Sequence, residues 1–274
     1  MNIDGSTQVY ALVGHPVARS RSPELHNGWF AAFGVNAVYV ALDVPGDGTG
    51  IVEAIRTLGL AGANVTVPHK AAVLPALDRV EPRAAELGAV NTILRDGDGL
   101  VGRNTDAPGW LADLTHRGIS VAGRRTVVVG TGGAGRALAG EVLDAGVTEL
   151  RLVNRTPERA EALRVALAGR HAAADITAVP WAPGALDDAD LVVVATAGRP
   201  AALDRLDPGR CRTGAVWCDL DYRSPEPPSS VRARAAGCRV VDGRGMLWWQ
   251  AALAFEAWTG FTPDPSGGSS TFWG

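Results

Sequence analysis

The sequence predicts an α/β protein of two domains, the second built on a doubly wound parallel sheet. Three observations predict it. Strand-like and helix-like segments alternate through the first half. In the second half a β-branched run, Thr126–Val129, runs into the glycine loop Gly130-Thr131-Gly132-Gly133-Ala134-Gly135 and then into a helical pattern. The chain is also long and apolar enough: 274 residues with 46% hydrophobic and 20% charged residues can bury two ordinary cores and are not disordered.

The elements follow in order. Val9–Val13 is an apolar strand that stops at Gly14. Ser22-Pro23-Glu24 reads as N-cap, N1 and N2 of a helix running through Phe33 and ended by Gly34. Ala37–Val44 is strand-like and Gly50–Leu58 helical; Ala63–Val67 is a strand, with a helix expected just after Pro68. Ala89–Leu94 and Leu100–Gly102 flank the hairpin-like turn Asp96-Gly97-Asp98-Gly99. Such alternation points to a largely parallel, helix-covered first sheet. Beyond the glycine loop the helix reaches Ala145, Glu149–Val153 is the next strand and Thr156–Ala168 the next helix. Leu191–Ala195, Gly214–Cys218 and Arg239–Val241 read as further buried strands, and Gly245–Trp258 as a last helix before a Pro-, Gly- and Ser-rich tail expected to fray.

Composition excludes several classes. A net charge of −3 argues against a broad nucleic-acid surface. The three cysteines, Cys211, Cys218 and Cys238, form no C-x-x-C pair, and the five histidines show no ligand spacing, so neither a disulfide framework nor a metal site is expected. The N-terminal segment does not read as a signal peptide, and no apolar run has the length of a membrane span. A soluble, cytoplasmic protein is expected. Of the 26 Lys and Arg residues, 25 are Arg and one, Lys70, is Lys. Arg holds its proton at any working pH while Lys can release one, which makes the lone Lys a candidate for proton chemistry.

Gly130-x-Gly132-x-x-Gly135 between a strand and a helix is the arrangement that admits a dinucleotide. The first Gly permits the tight turn, the second lets backbone approach a pyrophosphate, and the third lets helix and strand pack closely. The phosphates would lie at the positive end of the helix. The end of the next strand selects the cofactor: Asn154-Arg155-Thr156 carries no acid to hold ribose hydroxyls, and Arg155 suits a 2′-phosphate. This points to NADP, with Gly130, Thr131, Gly132, Gly133, Ala134, Gly135, Asn154, Arg155, Thr156 and Arg159 as its binding residues.

In the first half, Ser20 and Ser22 stand at a helix mouth, where hydroxyls and unpaired N–H groups suit a carboxylate, and Arg19 and Arg21 add positive charge. Asn64 and Thr66 share one face of a strand by its two-residue period, and Lys70 follows. Asn91-Thr92 and Asn104-Thr105-Asp106 are two more polar clusters at the ends of apolar segments, where open α/β sheets bind ligands. Taken singly, each also fits an ordinary cap or Asx-turn.

Together these residues resemble the shikimate dehydrogenase family. The resemblance rests on Gly14-His15-Pro16-Val17-Ala18-Arg19-Ser20-Arg21-Ser22-Pro23, Asn64 to Lys70, Gly88-Ala89-Val90-Asn91-Thr92 and Asn104-Thr105-Asp106. It continues through the Gly130 loop, Asn154-Arg155-Thr156, Asp242-Gly243, Met246-Leu247, Gln250 and Phe255-Glu256-x-Trp258-Thr259-Gly260, in family order over nearly the whole chain. It implies a two-domain enzyme with its substrate in the cleft, catalysing reversible NADP-linked reduction of 3-dehydroshikimate to shikimate. Residues 1–105 would bind substrate, 106–244 would form the Rossmann-type NADP domain, and 245–274 would return as a C-terminal helix plus a short irregular tail. Lys70 and Asp106 would be the catalytic pair. Ser20 and Ser22 would hold the substrate carboxylate, Thr66, Asn91 and Gln250 its ring hydroxyls, Asn64 would support the pocket, and Tyr222 would lie near the substrate. Leu220 and Gly243 would join the cofactor set. A monomer or homodimer without membrane or nucleic-acid partners is implied.

Four features depart from the family pattern: Ala195-Thr196-Ala197-Gly198-Arg199, Arg223-Ser224-Pro225-Glu226-Pro227, His69 at an often aromatic position, and the tail after Gly260. A dehydrogenase acting on quinate or an aminoshikimate-type compound is the alternative. A non-catalytic NADP sensor is the alternative of another class, and it has no need of the proton donor that Lys70 and Asp106 would form.

Overall fold

The computed structural model describes residues 3–196, 200–222 and 226–265. It divides into two compact units, one of Met1–Gly109 with Trp248–Gly274 and one of Trp110–Leu247. Residues 197–199 and 223–225, within two of the departing stretches, and residues 266–274 of the tail lie outside the described residues.

The first unit holds β1 (Gln8–Gly14), α1 (Ser22–Ala32), β2 (Ala37–Asp43), α2 (Ile51–Thr57), β3 (Gly62–Val65), β4 (Arg79–Val80), α3 (Pro82–Leu87), β5 (Thr92–Asp96) and β6 (Gly99–Arg103). Its sheet order is β2-β1-β3-β5-β6-β4. The strand period sorts β1 cleanly. Ala11 and Val13 pack on one face with Ile51, Ile55 and Val90, whereas Tyr10 and Leu12 pack on the other with Phe30, Tyr39 and Phe255.

Two expectations for this unit are corrected. The sheet is mixed rather than largely parallel: β1 runs parallel to β2 and β3, but β5 is antiparallel to both β3 and β6. The two-residue loop Gly97-Asp98, with Gly97 at φ +58°, closes the β5–β6 hairpin, and β5 itself enters the sheet antiparallel to β3. The helix expected after Pro68 does not form. The chain passes through turns to a single 3-10 turn, Leu74–Ala76. Pro75 has no N–H to bond back to Ala71, so a helix begun after Pro68 cannot run through it, and the segment between the two prolines is too short for a stable helix.

The second unit contains β7 (Arg125–Val129), α5 (Gly133–Asp144), β8 (Glu149–Val153), α6 (Pro157–Ala168), β9 (Asp175–Val179), β10 (Leu191–Val194), β11 (Val216–Asp219), α7 (Pro228–Ala235) and β12 (Arg239–Asp242). All its strand pairs are parallel, in the order β12-β11-β10-β7-β8-β9. The order reverses between β7 and β10, which is the switch point where doubly wound sheets take a ligand. Val127, Val129, Val192, Val194 and Trp217 bury one face of it. The unit boundaries fall inside two helices, α4 (Asp106–His116) and α8 (Gly243–Thr259).

Candidate active and dinucleotide sites

In the first unit, strand ends and the start of α4 gather a hydrogen-bonded cluster. Lys70 Nζ lies 2.5 Å from Asp106 Oδ2, with the two side chains 26% and 18% exposed, so the ion pair is sheltered but reachable. Asn91 Nδ2 donates to Asp106 Oδ1 (2.9 Å) and to Thr105 Oγ1 (3.0 Å). Asn91 Oδ1 accepts from the Thr105 N–H (2.8 Å) and the Thr92 hydroxyl (2.9 Å). Asn64 Nδ2 donates to Asn91 O and Thr92 Oγ1, and the Tyr39 phenol donates to Asn64 Oδ1 at 2.7 Å. Asn104 Oδ1 accepts the N–H of Asp106 and so anchors the start of α4.

The cluster is therefore one continuous chain from Tyr39 to Lys70, and each buried amide in it is satisfied. The family resemblance assigns Asn91 to a ring hydroxyl. In this structure its Nδ2 donates to Thr105 and Asp106, which also places it to orient Asp106. Tyr39, Thr92 and Thr105 are absent from the sequence-derived set of site residues. The signal for two of them is the repeated doublet, Asn91-Thr92 and Asn104-Thr105, from which Asn91, Thr92 and Thr105 meet through hydrogen bonds.

Lys70 sits on a turn, not at a helix start. Its backbone is pinned by the Val90 N–H to its carbonyl at 2.8 Å. Next to it, His69 is fully buried with Nε2 2.7 Å from Val44 O.

At the mouth of α1 the capping expectation is corrected. Arg21, not Ser22, occupies the N-cap, in helical geometry and without a side-chain cap bond. Ser22 is 6% exposed; its N–H donates to Ser20 Oγ, the two hydroxyls lie 3.3 Å apart, and its side chain contacts the Tyr39 phenol. The Ser22 hydroxyl thus does not cap the helix, whereas Ser20 Oγ takes the first N–H of α1. Arg21 is ion-paired with Glu24, so the positive charge expected from it is partly neutralised, while Arg19 is exposed with no ion pair among the described residues. Thr66 lies just beyond β3, its methyl against Gly14. The backbone carbonyl of Gln250 accepts from Thr105 Oγ1 at 3.0 Å.

Behind this cluster His26 is 0% exposed, stacked 4.4 Å from the Tyr39 ring and bordered by Trp29, Phe255 and Trp258. Neither ring nitrogen has a hydrogen-bond partner. Burial outweighs the nearby Asn64 amide and pushes its pKa down to about 3, so the ring is neutral.

The second unit carries the glycine loop at its switch point. Gly130 has φ +97°, and a Cβ on it would meet Ala195 O at 2.7 Å. A Cβ on Gly135 would overlap Gly130 O. Both positions admit only Gly. Around Gly132 and Gly133 nothing lies within 4 Å of a built Cβ, Ala134 is exposed, and α5 starts at Gly133 without a side-chain cap. Its first N–H groups are therefore available to an anion.

Thr131 Oγ1 is buried without a partner, a donor left for a ligand. The Thr131 N–H reaches Asn154 Oδ1, and Asn154 Nδ2 donates to Thr156 O. Thr156 is the N-cap residue of α6 but makes no cap bond with its side chain. Arg155 and Arg159 are exposed, and neither guanidinium has a partner among the described residues. Arg136, in the first turn of α5, is likewise exposed and was not foreseen. A Cβ on Gly243 would overlap Leu220 O, which explains the Gly at the start of α8. Leu220 is half-buried and Tyr222 is 36% exposed, both in the second unit. The absent acid after β8, the unpartnered arginines and the orphan Thr131 hydroxyl fit a phosphorylated dinucleotide.

Among the described residues no group of three or more His, Cys, Asp or Glu side chains is placed to hold a metal, and no helix is long and apolar enough to cross a membrane.

Comparison with known proteins agrees with this geometry. Residues 12–93 match the shikimate dehydrogenase substrate binding domain, residues 113–214 the shikimate / quinate 5-dehydrogenase family, and residues 243–266 the shikimate 5′-dehydrogenase C-terminal domain. The shikimate dehydrogenase (NADP(+)) of Moorella thermoacetica is 45% identical over 267 residues, covering 95% of this chain and 90% of the relative. Among solved structures, the Thermus thermophilus shikimate 5-dehydrogenase in complex with NADP(H) and shikimate is 38% identical, with a TM-score of 0.85 and coverage of 95% of this chain and 97% of that one. A shikimate dehydrogenase in complex with NADP+ is 34% identical, with a TM-score of 0.86 and coverage of 96% and 93%. With its lone lysine paired to Asp106, its glycine loop open to phosphate and relatives matched over nearly the whole chain, the chain belongs to the shikimate dehydrogenase family.

Proposed function

We infer that this chain is an NADP-dependent shikimate dehydrogenase, interconverting 3-dehydroshikimate and shikimate. The observation that carries the reading is the Lys70–Asp106 pair at 2.5 Å, held by Asn91 in the first unit, whose residues 12–93 match the family's substrate binding domain. When bound, the dinucleotide supplies or accepts the hydride.

In the direction of reduction, the ketone oxygen becomes an alkoxide as hydride reaches its carbon. The Lys70 ammonium stabilises that charge and donates a proton to it; in oxidation the neutral amine takes the hydroxyl proton back. Asp106 holds the ammonium by one oxygen and is itself fixed through the other by Asn91, which leaves two Lys70 N–H bonds for the substrate. Ser20 and Ser22, whose hydroxyls lie 3.3 Å apart at the α1 mouth, bind the carboxylate with the help of the helix N-terminus. Thr66, Asn91 and Gln250 take ring hydroxyls, Asn64 supports the pocket, and Tyr222 is a further substrate-binding residue.

The glycine loop and α5 N-terminus bind the pyrophosphate, with Thr131 Oγ1 as an added donor. Arg155, Thr156 and Arg159 hold the 2′-phosphate. The reading is of a cytoplasmic enzyme.

Steady-state kinetics with shikimate, quinate and aminoshikimate, each with NADP and NAD, test it. The highest kcat/KM is expected for shikimate with NADP. A higher value for quinate or aminoshikimate would replace the substrate, and no turnover with any of them would favour the sensor.

A further inference from the structure

We propose that Thr105 and Gly109 are positioning residues that set the place of Gln250 relative to Asp106, and thereby the enzyme's hold on the substrate ring. This rests on the reading of Gln250 as a substrate ligand. Thr105 is 2% exposed and immediately precedes Asp106, the first residue of α4. Its hydroxyl accepts from Asn91 Nδ2 at 3.0 Å and donates to the backbone carbonyl of Gln250 at 3.0 Å, so one oxygen ties α8 to the group that orients Asp106.

A turn later, where the Gly109 N–H donates to Thr105 O, the two helices touch through backbone. A Cβ on Gly109 would stand 2.6 Å from Gln250 N and 2.8 Å from its Cα, closer than real Cβ contacts allow. A polar clasp and a missing side chain thus fix the same residue from two independent directions. The backbone of Gln250 cannot shift along or away from α4 without breaking one or opening a gap at the other. Its side chain therefore leaves α8 at a fixed point relative to Asp106. Because ligand-positioning errors of about 1 Å carry large kinetic costs, such a clasp governs how tightly ring hydroxyls are held.

The test uses the whole enzyme and four single variants, Thr105→Val, Thr105→Ser, Gly109→Ala and Gln250→Ala, with the double variant Thr105→Val/Gln250→Ala. KM for shikimate, KM for NADP, kcat and melting temperature are measured for each. Thr105→Val keeps the side-chain shape and removes the hydroxyl. It is expected to raise KM for shikimate about tenfold or more, with KM for NADP unchanged. Thr105→Ser should restore the KM. Gly109→Ala, which alters no polar group, should reproduce the rise.

In the double variant Thr105→Val should add nothing to the KM of Gln250→Ala, since it acts through that residue. If Gln250→Ala leaves KM unchanged, Gln250 is no ligand and both readings fall. If Gln250→Ala raises KM but Thr105→Val lowers only the melting temperature, the clasp is structural and this proposal alone fails. Should Gly109→Ala not fold, the Val and Ser variants at Thr105 decide.

Discussion

Acidification should weaken the fold through one side chain that takes no part in the chemistry. His26 is fully buried, stacked on Tyr39, and has no hydrogen-bond partner for either nitrogen. Its pKa is pushed from 6.5 down to about 3, because the aromatic surroundings desolvate the charged ring. Below about pH 6.5 the unfolded chain takes up a proton that the folded chain refuses until about pH 3. The native state then binds fewer protons, and stability falls with falling pH across that window.

Each pH unit removes up to about 1.4 kcal/mol, which comes to about 2 kcal/mol at pH 5 relative to pH 7.5. Asp113 and Asp219, in the second unit, have pKa values raised by burial and act in the opposite sense, since the folded state binds their protons more readily. A comparison with His26→Leu cancels them. Urea unfolding of both proteins at pH 7.5 and pH 5 should show the unmutated chain losing about 2 kcal/mol more than the variant. Equal losses would mean that the folded protein accommodates the imidazolium, and the account of His26 as a neutral, unpartnered ring would be refuted.

Two further predictions concern binding. Arg155→Asp should cut kcat/KM with NADP about 10- to 100-fold, the weight of one charge-assisted phosphate contact, and shift preference toward NAD; an unmutated enzyme that already uses NAD as well as NADP would refute the role of Arg155. Ser22→Ala should raise KM for shikimate about 10-fold or more, and, because Ser22 does not cap α1, the helix should keep its stability. A lowered melting temperature with unchanged KM would return Ser22 to a purely structural part.

The contrast between what local pattern revealed and what it missed has physical causes. Glu149–Val153 matches β8 residue for residue because a short apolar run ahead of a Pro-initiated helix has few alternatives. The Gly-rich turn located the β5–β6 hairpin, but β5 starts at Thr92 rather than Ala89, and the two strands run on to the turn at Asp96 and Gly99. The start of α4 was hidden by Pro108-Gly109, which reads as a break, yet Pro is tolerated in a first turn and Gly109 is required by the approach of Gln250. β9 escaped notice because, as an edge strand with a partly exposed face, it carries only a weak apolar pattern. In the site, Lys70 was visible as the lone lysine, and Asp106 by resemblance. Their contact spans 36 residues of sequence and could not be read from spacing. The Tyr39–Asn64–Thr92–Asn91 relay is a tertiary product of three strands and left only the paired Asn-Thr doublets as a trace.

On the proposed function, Lys70 moves a proton at the reacting oxygen and does not merely supply charge. The direct measurement is kcat for NADP-linked shikimate oxidation by Lys70→Arg as a function of pH. Arg preserves the positive charge near Asp106 but does not readily exchange its proton near neutral pH. A kcat lowered about 10²- to 10⁴-fold is expected, with NADP binding retained. Near-full kcat with an unchanged pH profile would contradict it and reduce Lys70 to an electrostatic anchor.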